Sequence, residues 1–247
     1  KDKAMLYGLL GAESFQGNLL RNHFEGAILE KTGQGIIKDA KKFNIISELP
    51  FESFRMRSSV LAENNKGEKM LVVKGAPEAI LKICSKFGGG YTRSEIKEDV
   101  AKEGQDGKRT LAIAFKKFGD KKVTIKDEKG MTFLGYFVFE DPLKSTAEEA
   151  IRTAKKLGIK IKIITGDSKE VAGFVSKKTG LILNSNDVML GEDLQKLQGD
   201  EFNNACEDNV VFARISPEIK YKIVKSLQRN FEVGFLGEGI NDVPALK

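Results

Sequence analysis

Apolar residues fall with two different rhythms along this chain, and the change comes near residue 130. Residues 1–21 carry apolar positions on one side of a helix, and Leu20, Phe24, Ala27 and Ile28 continue a helical stripe that Gly33 and Gly35 end. From Phe43 to Phe139 the pattern turns mostly to strands. Segments 58–63 and 68–74 flank the turn-like Asn64-Asn-Lys-Gly67 and predict a hairpin. Lys74-Gly-Ala-Pro-Glu78 ends a strand and starts a helix, with Pro77 in its first turn and Ile80, Leu81 and Cys84 on its buried face. Another strand is expected at 109–115, and the charged stretches 86–107 and 117–130 read as loops or fraying edges.

Beyond Met131, strands alternate with helices: strands at 133–139, 159–164, 210–215 and 232–236, helices at 145–157, 168–179 and 217–228. Ser145-Thr-Ala-Glu148 has capping-box spacing, and Ser216-Pro217-Glu218 is a second helix start. Alternation of this kind predicts a parallel sheet covered by helices. The chain is therefore read as α/β in two modules: a mixed, sheet-rich module over 1–128 and a doubly wound parallel module over 129–247.

Composition narrows the classes. The chain has 247 residues, of which 40% are hydrophobic, and no Trp. No apolar run approaches the ~18–20 residues that span a bilayer, and no signal peptide is visible. The net charge of +6 comes mostly from lysines scattered along helix faces, which argues for solvated surface and against nucleic-acid binding. Cys84 and Cys206 lie far apart without metal-ligand spacing, which suggests a reduced, cytosolic-facing setting; the lone His23 cannot anchor a zinc site.

In a parallel α/β sheet, ligands bind outside the carboxyl ends of the strands. Three expected strand ends carry polar signals: Asp141-Pro142, Thr165-Gly166-Asp167, and Glu238-Gly239 followed by Asn241-Asp242. A Thr hydroxyl and a Gly amide at a helix start make a phosphate cradle. Lys220 follows the Ser216-Pro217 helix start and brings a positive charge toward that edge, while carboxylates at strand ends suit Mg²⁺. Singly, each of these is an ordinary turn, helix start or surface lysine. In this order they point to phosphate and Mg²⁺ chemistry.

Lys74-Gly-Ala-Pro-Glu78, Asp141-Pro-Leu-Lys144, Thr165-Gly-Asp167 and Gly237-Glu-Gly-Ile-Asn-Asp-Val-Pro-Ala-Leu-Lys247 occur in the order and spacing of the P-type cation-transporting ATPases. The chain resembles their nucleotide-binding domain followed by part of the phosphorylation domain, a haloacid dehalogenase-like module. The resemblance implies ATP and Mg²⁺ as cofactors. Phe51 matches the aromatic that stacks on adenine, Glu25 an acidic residue near it, Lys74 with the adjoining Gly75 the nucleotide pocket, and Arg109 an arginine that reaches phosphates. Thr165, Gly166 and Lys220 match the group around the transferred phosphoryl. Asn241 and Asp242 match positions behind the Mg²⁺ and phosphate site, and Asp141 and Asp167 match hinge and nucleotide-edge positions. Implied partners are the membrane-spanning and actuator domains of the same pump and a cation bound outside this chain, with the chain on the cytoplasmic face of the membrane. The front module looks most similar to magnesium transporters, with calcium and proton pumps close behind.

Two departures stand out. The family's nucleophilic aspartate sits in Asp-Lys-Thr-Gly, whereas Asp2-Lys3-Ala4-Met5 lacks the Thr-Gly and follows no buried strand. The nucleophile and its central strand are thus expected upstream, and the chain alone is expected to bind nucleotide without turnover. Glu238 stands where the family has the Asp that ligates Mg²⁺, and its extra methylene is expected to weaken the metal site. Rival readings are a non-catalytic nucleotide-binding module and a soluble haloacid dehalogenase-like phosphatase. The phosphatase would need an Asp-x-Asp motif that the sequence lacks.

Overall fold

The computed structural model describes residues 2–10 and 23–237. The chain divides into two compact units, one of residues 1–100 and 110–139, the other of residues 101–109 and 140–247.

The first unit is built on a six-stranded sheet. Its helices are α1 (Asp2–Leu9), α2 (His23–Glu30), α3 (Gln34–Ala40) and α4 (Pro77–Ile83), joined by the first turns of α5 (Arg93–Gln105). Its strands are β1 (Phe43–Glu52), β2 (Arg57–Asn64), β3 (Lys69–Gly75), β4 (Cys84–Phe87), β5 (Arg109–Lys117) and β6 (Met131–Phe139), in the order β1-β2-β3-β5-β6-β4. β1, β2, β3 and β5 pair antiparallel, and β4 runs parallel to β6. The expected hairpin forms: Asn64 Oδ1 accepts from the amides of Lys66 and Glu68, and Gly67 takes the left-handed conformation that closes the turn.

Period-two alternation in the strands buries both faces of this sheet. Leu61, Leu71, Val73, Ala112, Ala114, Met131 and Phe133 point to one side, where Ile80 and Leu81 of α4 and Ile96 of α5 cover them. Val60, Ala62, Val72 and Ile113 point to the other, against Tyr7 and Leu9 of α1, Ile28 of α2 and Ala40 of α3. Burial pushes the Cys84 thiol up to about 12, so this cysteine acts as packing rather than as a nucleophile.

The second unit carries a three-stranded parallel sheet, β7 (Ile163–Ile164), β8 (Met189–Leu190) and β9 (Val211–Ala213), in the order β7-β9-β8. Its helices are α6 (Ala147–Lys156), α7 (Lys169–Lys178), α8 (Gly191–Leu194), α9 (Gly199–Asp208) and α10 (Pro217–Leu227). Phe212 faces Leu194, Cys206, Ile219, Ile223 and Leu227, while its neighbours Val211 and Ala213 face Ala172 of α7, Ile182 and Val188. Helices thus lie on both faces of a parallel sheet.

Several expectations are corrected. The strand ending at Phe139 does not open the parallel sheet; it belongs to the six-stranded one, where Met131 and Phe133 complete a core face. No strand forms at 232–236, where the described residues offer no paired neighbour and Leu236 is fully exposed. The strand at 159–164 shortens to its last two residues. Cys84 ends α4 and begins β4 instead of lying on the helix. Thr146, not Ser145, precedes α6, and its side chain makes no cap bond. The stretch 86–107 is not loop but largely α5, begun by a reciprocal cap in which Thr92 N donates to Glu95 Oε2 and Glu95 N donates to Thr92 Oγ1.

Candidate functional site

In the first unit, the candidate residues gather at one end of the six-stranded sheet. Lys74, on the penultimate position of β3, shares a sheet face with Val72 and so points toward α1 and α2. Its Nζ donates to Glu25 Oε1 at 3.0 Å and to the carbonyl of Gly8 at 3.2 Å, and Lys74 is 6% exposed. Two of the expected residues therefore meet directly, as a buried ion pair. Ser58 pairs with Lys74 on one side, and the end of β1 at Leu49 to Glu52 pairs across Ser59 to Arg57 on the other. Phe51 thus lies about two strand spacings from Lys74, roughly 10 Å, and its ring is exposed.

Gly75 is fixed by packing. A Cβ there would come within 2.3 Å of the Met56 carbonyl, which accepts from the amide of Ala76 at 2.9 Å. Met56 itself holds a positive φ of 52°. The end of β3 and the turn after β1 are locked to each other, and only glycine fits between them.

In the second unit, Thr165, Gly166 and Asp167 leave β7 just before α7. Thr165 Oγ1 accepts from the Asp167 amide and donates to Asp167 Oδ2, each at 3.1 Å, a self-closed turn. A Cβ on Gly166 would meet no described atom within 4 Å, so this glycine opens onto space instead of being packed. Arg109 donates through Nη1 to Asp141 Oδ2 and through Nη2 to Asp167 Oδ2, both at 2.9 Å. The fork expected to reach phosphates is thus engaged by the two expected carboxylates. Just before Arg109, Gly107 at φ 77° packs closely on the Phe174 ring, where a Cβ would come within 2.3 Å.

Lys220 lies one turn into α10, whose N-cap Ser216 accepts from Ile219 N. It is half-buried. Glu238, Asn241 and Asp242 lie outside the described residues. Asp2 sits in the first turn of α1.

Sequence reading missed a second charge cluster on the opposite face of the six-stranded sheet. Glu128 is fully buried; it accepts from Arg55 Nη1, from Arg57 Nε at 2.6 Å and from the Ser59 hydroxyl. Arg55 and Arg57 two residues apart in a strand-rich stretch were a signal, but their partner is 71 residues from Arg57.

Comparison with known proteins gives a consistent picture. The family model for the P-type ATPase cytoplasmic domain N matches residues 15–146. Over 240 residues the chain is 35% identical to the magnesium-transporting ATPase, P-type 1, of Escherichia coli, covering 92% of this chain and 26% of that protein. It is 32% identical to the calcium-transporting ATPase of Bacillus subtilis, over 90% of this chain and 27% of the relative. To calcium-transporting ATPase 1 of Lactococcus lactis it is 33% identical, over 95% and 28%. The chain spans a little over a quarter of the length of these relatives.

Proposed function

Since the chain belongs to the family of P-type ATPase cytoplasmic N domains, we propose that it is the ATP-handling portion of a cation-transporting P-type ATPase. The observation that carries this reading is the pairing, at one end of a rigid sheet, of an exposed aromatic, Phe51, with a buried ammonium, Lys74, about 10 Å away. That separation suits a purine on the ring with its ribose and phosphates running toward positive charge. Glu25 supplies the opposite charge that Lys74 pairs with at this buried position. Gly75 shapes the pocket by letting two turns approach, a role different from ligand contact.

The second unit is read as part of a haloacid dehalogenase-like phosphorylation domain. Thr165 and the open Gly166 would hold the oxygens of a transferred phosphoryl group, with Lys220 neutralising its charge. For Arg109 to meet a phosphate, its guanidinium exchanges Asp141 or Asp167 for the incoming oxygens. Transfer would end on an aspartate outside these residues, and the membrane-spanning and actuator domains of the same pump would turn it into movement of a cation. Both the magnesium and the calcium transporters among the relatives carry divalent ions, so a divalent cation is the proposed cargo. Their shared domain would place this chain on the cytoplasmic side.

Mg²⁺ would arrive with ATP and neutralise its phosphates. Among the described residues no group of three or more His, Cys, Asp or Glu is placed to hold a metal, and Arg109 engages Asp141 and Asp167. The proposed metal residue remains Glu238. That Glu in place of Asp is also what favours a second reading, a nucleotide-binding module without turnover.

Calorimetric titration of the chain with ATP, with and without Mg²⁺, tests the proposal. Binding that Phe51→Ala and Lys74→Ala each weaken about tenfold or more is expected, about 1.4 kcal/mol apiece. Absence of binding to the folded wild-type chain at millimolar ATP would remove ATP from the reading.

A further inference from the structure

Phe51 is held by something other than its own contacts. The residue is 58% exposed, so packing does not set its direction. Nor does the strand ladder, because the register of β1 on β2 shifts between Leu49 and Glu52, leaving Pro50 and Phe51 in the irregular step. The segment is gripped by one guanidinium. Arg55 Nη2 donates to the carbonyl of Pro50 at 2.7 Å and Nε donates to Glu52 Oε2 at 2.5 Å, so its bonds bracket Phe51 on both sides. Nη1 donates to Glu128, whose buried carboxylate Arg57 and Ser59 hold in turn.

We propose that Arg55, anchored on Glu128, is a positioning residue that sets Phe51 against the purine ring of a bound nucleotide; this rests on the nucleotide reading of the site. A planar fork with three donors pointing three ways fits this task, and a lysine ammonium in its place cannot reach Pro50, Glu52 and Glu128 together in one plane. Arg55 is 4% exposed, so it acts through Phe51 and not by touching the ligand. Glu52 and Glu128 supply two negative charges to the two positive charges of Arg55 and Arg57, which leaves the cluster neutral.

The sequence has no Trp, so Phe51→Trp places a single indole at the position of interest. In that background, Arg55→Lys is compared with its parent by time-resolved fluorescence anisotropy and by titration with AMP and with inorganic tripolyphosphate. Far-UV circular dichroism confirms that both are folded. The expected result is larger nanosecond motion of the indole, about tenfold weaker AMP binding, and tripolyphosphate binding changed by less than twofold. A purely structural role would weaken both ligands together or neither. Unchanged indole motion and unchanged AMP affinity in the folded variant would overturn the proposal. A parent that binds no AMP overturns the purine assignment, and the anisotropy then tells that failure apart from a failure of positioning. Should Arg55→Lys not fold, Glu52→Gln removes one side of the bracket at a side chain that is 42% exposed. About threefold weaker AMP binding with a more mobile indole is then expected, and no change in either overturns the proposal.

Discussion

Lys74 Nζ and Glu25 Oε1 stand 3.0 Å apart with side chains only 7% and 12% exposed, one from the end of a central strand and one from the first turn of α2. A buried pair of this kind is costly to break from one side, because the surviving charge stays desolvated. Glu25→Ala should therefore cost about 2–4 kcal/mol in urea unfolding. Lys74→Met, which keeps the stem and removes the charge, should cost a similar amount, because it leaves the Glu25 carboxylate buried without its partner. Losses within about 0.5 kcal/mol for both variants would mean the ion pair is not what the fold depends on here.

Two glycines that look alike in sequence should respond in opposite ways. Gly75→Ala forces a Cβ against the Met56 carbonyl, a backbone atom that cannot swing away, and should cost about 2–4 kcal/mol. Gly166→Ala meets open space without a positive φ and should leave stability within about 0.5 kcal/mol. If Gly166 leaves room for phosphate, that same substitution should weaken phosphate or vanadate binding. Thermal melts of both variants, with a phosphate titration of the second, separate the two roles.

Ser176 is fully buried on α7, and its hydroxyl has no hydrogen-bond partner among the described residues. An unsatisfied buried hydroxyl costs about 1–3 kcal/mol of desolvation. Ser176→Ala should raise the melting temperature by about 2–4 °C for each kcal/mol recovered. A lower melting temperature would point to a partner for this hydroxyl.

Acid should weaken the first unit in a defined window. The Thr124 hydroxyl and then its amide hold Asp127 below the ordinary carboxylate range, and the Thr92 amide and then its hydroxyl do the same for Glu95. A carboxylate with a depressed folded-state pKa stabilises fully above its unfolded value and loses that contribution as pH falls through the folded value. Stability should therefore be flat above about pH 5 and decline below about pH 4. Asp127→Asn should shallow that decline in melts taken from pH 6 to 3. An unchanged slope would assign the acid sensitivity to other groups.

The hairpin around Asn64 to Gly67, the Pro77 start of α4 and the Ser216-Pro217 start of α10 were all readable, because turn and cap residues act on the backbone within four positions. Helix α5 was readable too, through the Thr92 and Glu95 box, but its charge-rich face hid the Ile96 and Val100 stripe. What escaped reading depended on partners far along the chain. Strand β6 has the composition to join either sheet, and only the neighbours waiting for Met131 and Phe133 decide which one it enters. Residues 232–236 have strand character, yet a strand requires a neighbour and the described residues supply none.

The same division holds for the candidate site. Motif order along the chain by itself determined the family and which residue types carry charge, since those depend on identity and spacing alone. Tertiary structure alone decided that Lys74 meets Glu25, that Arg109 is engaged by Asp141 and Asp167, and that Arg55 bonds both Glu128 and the Pro50 carbonyl beside Phe51. These contacts span up to 73 residues of sequence. Desolvation forces each buried charge to find a partner, but which partner it finds is set by the registers of the sheet that bring distant strands side by side.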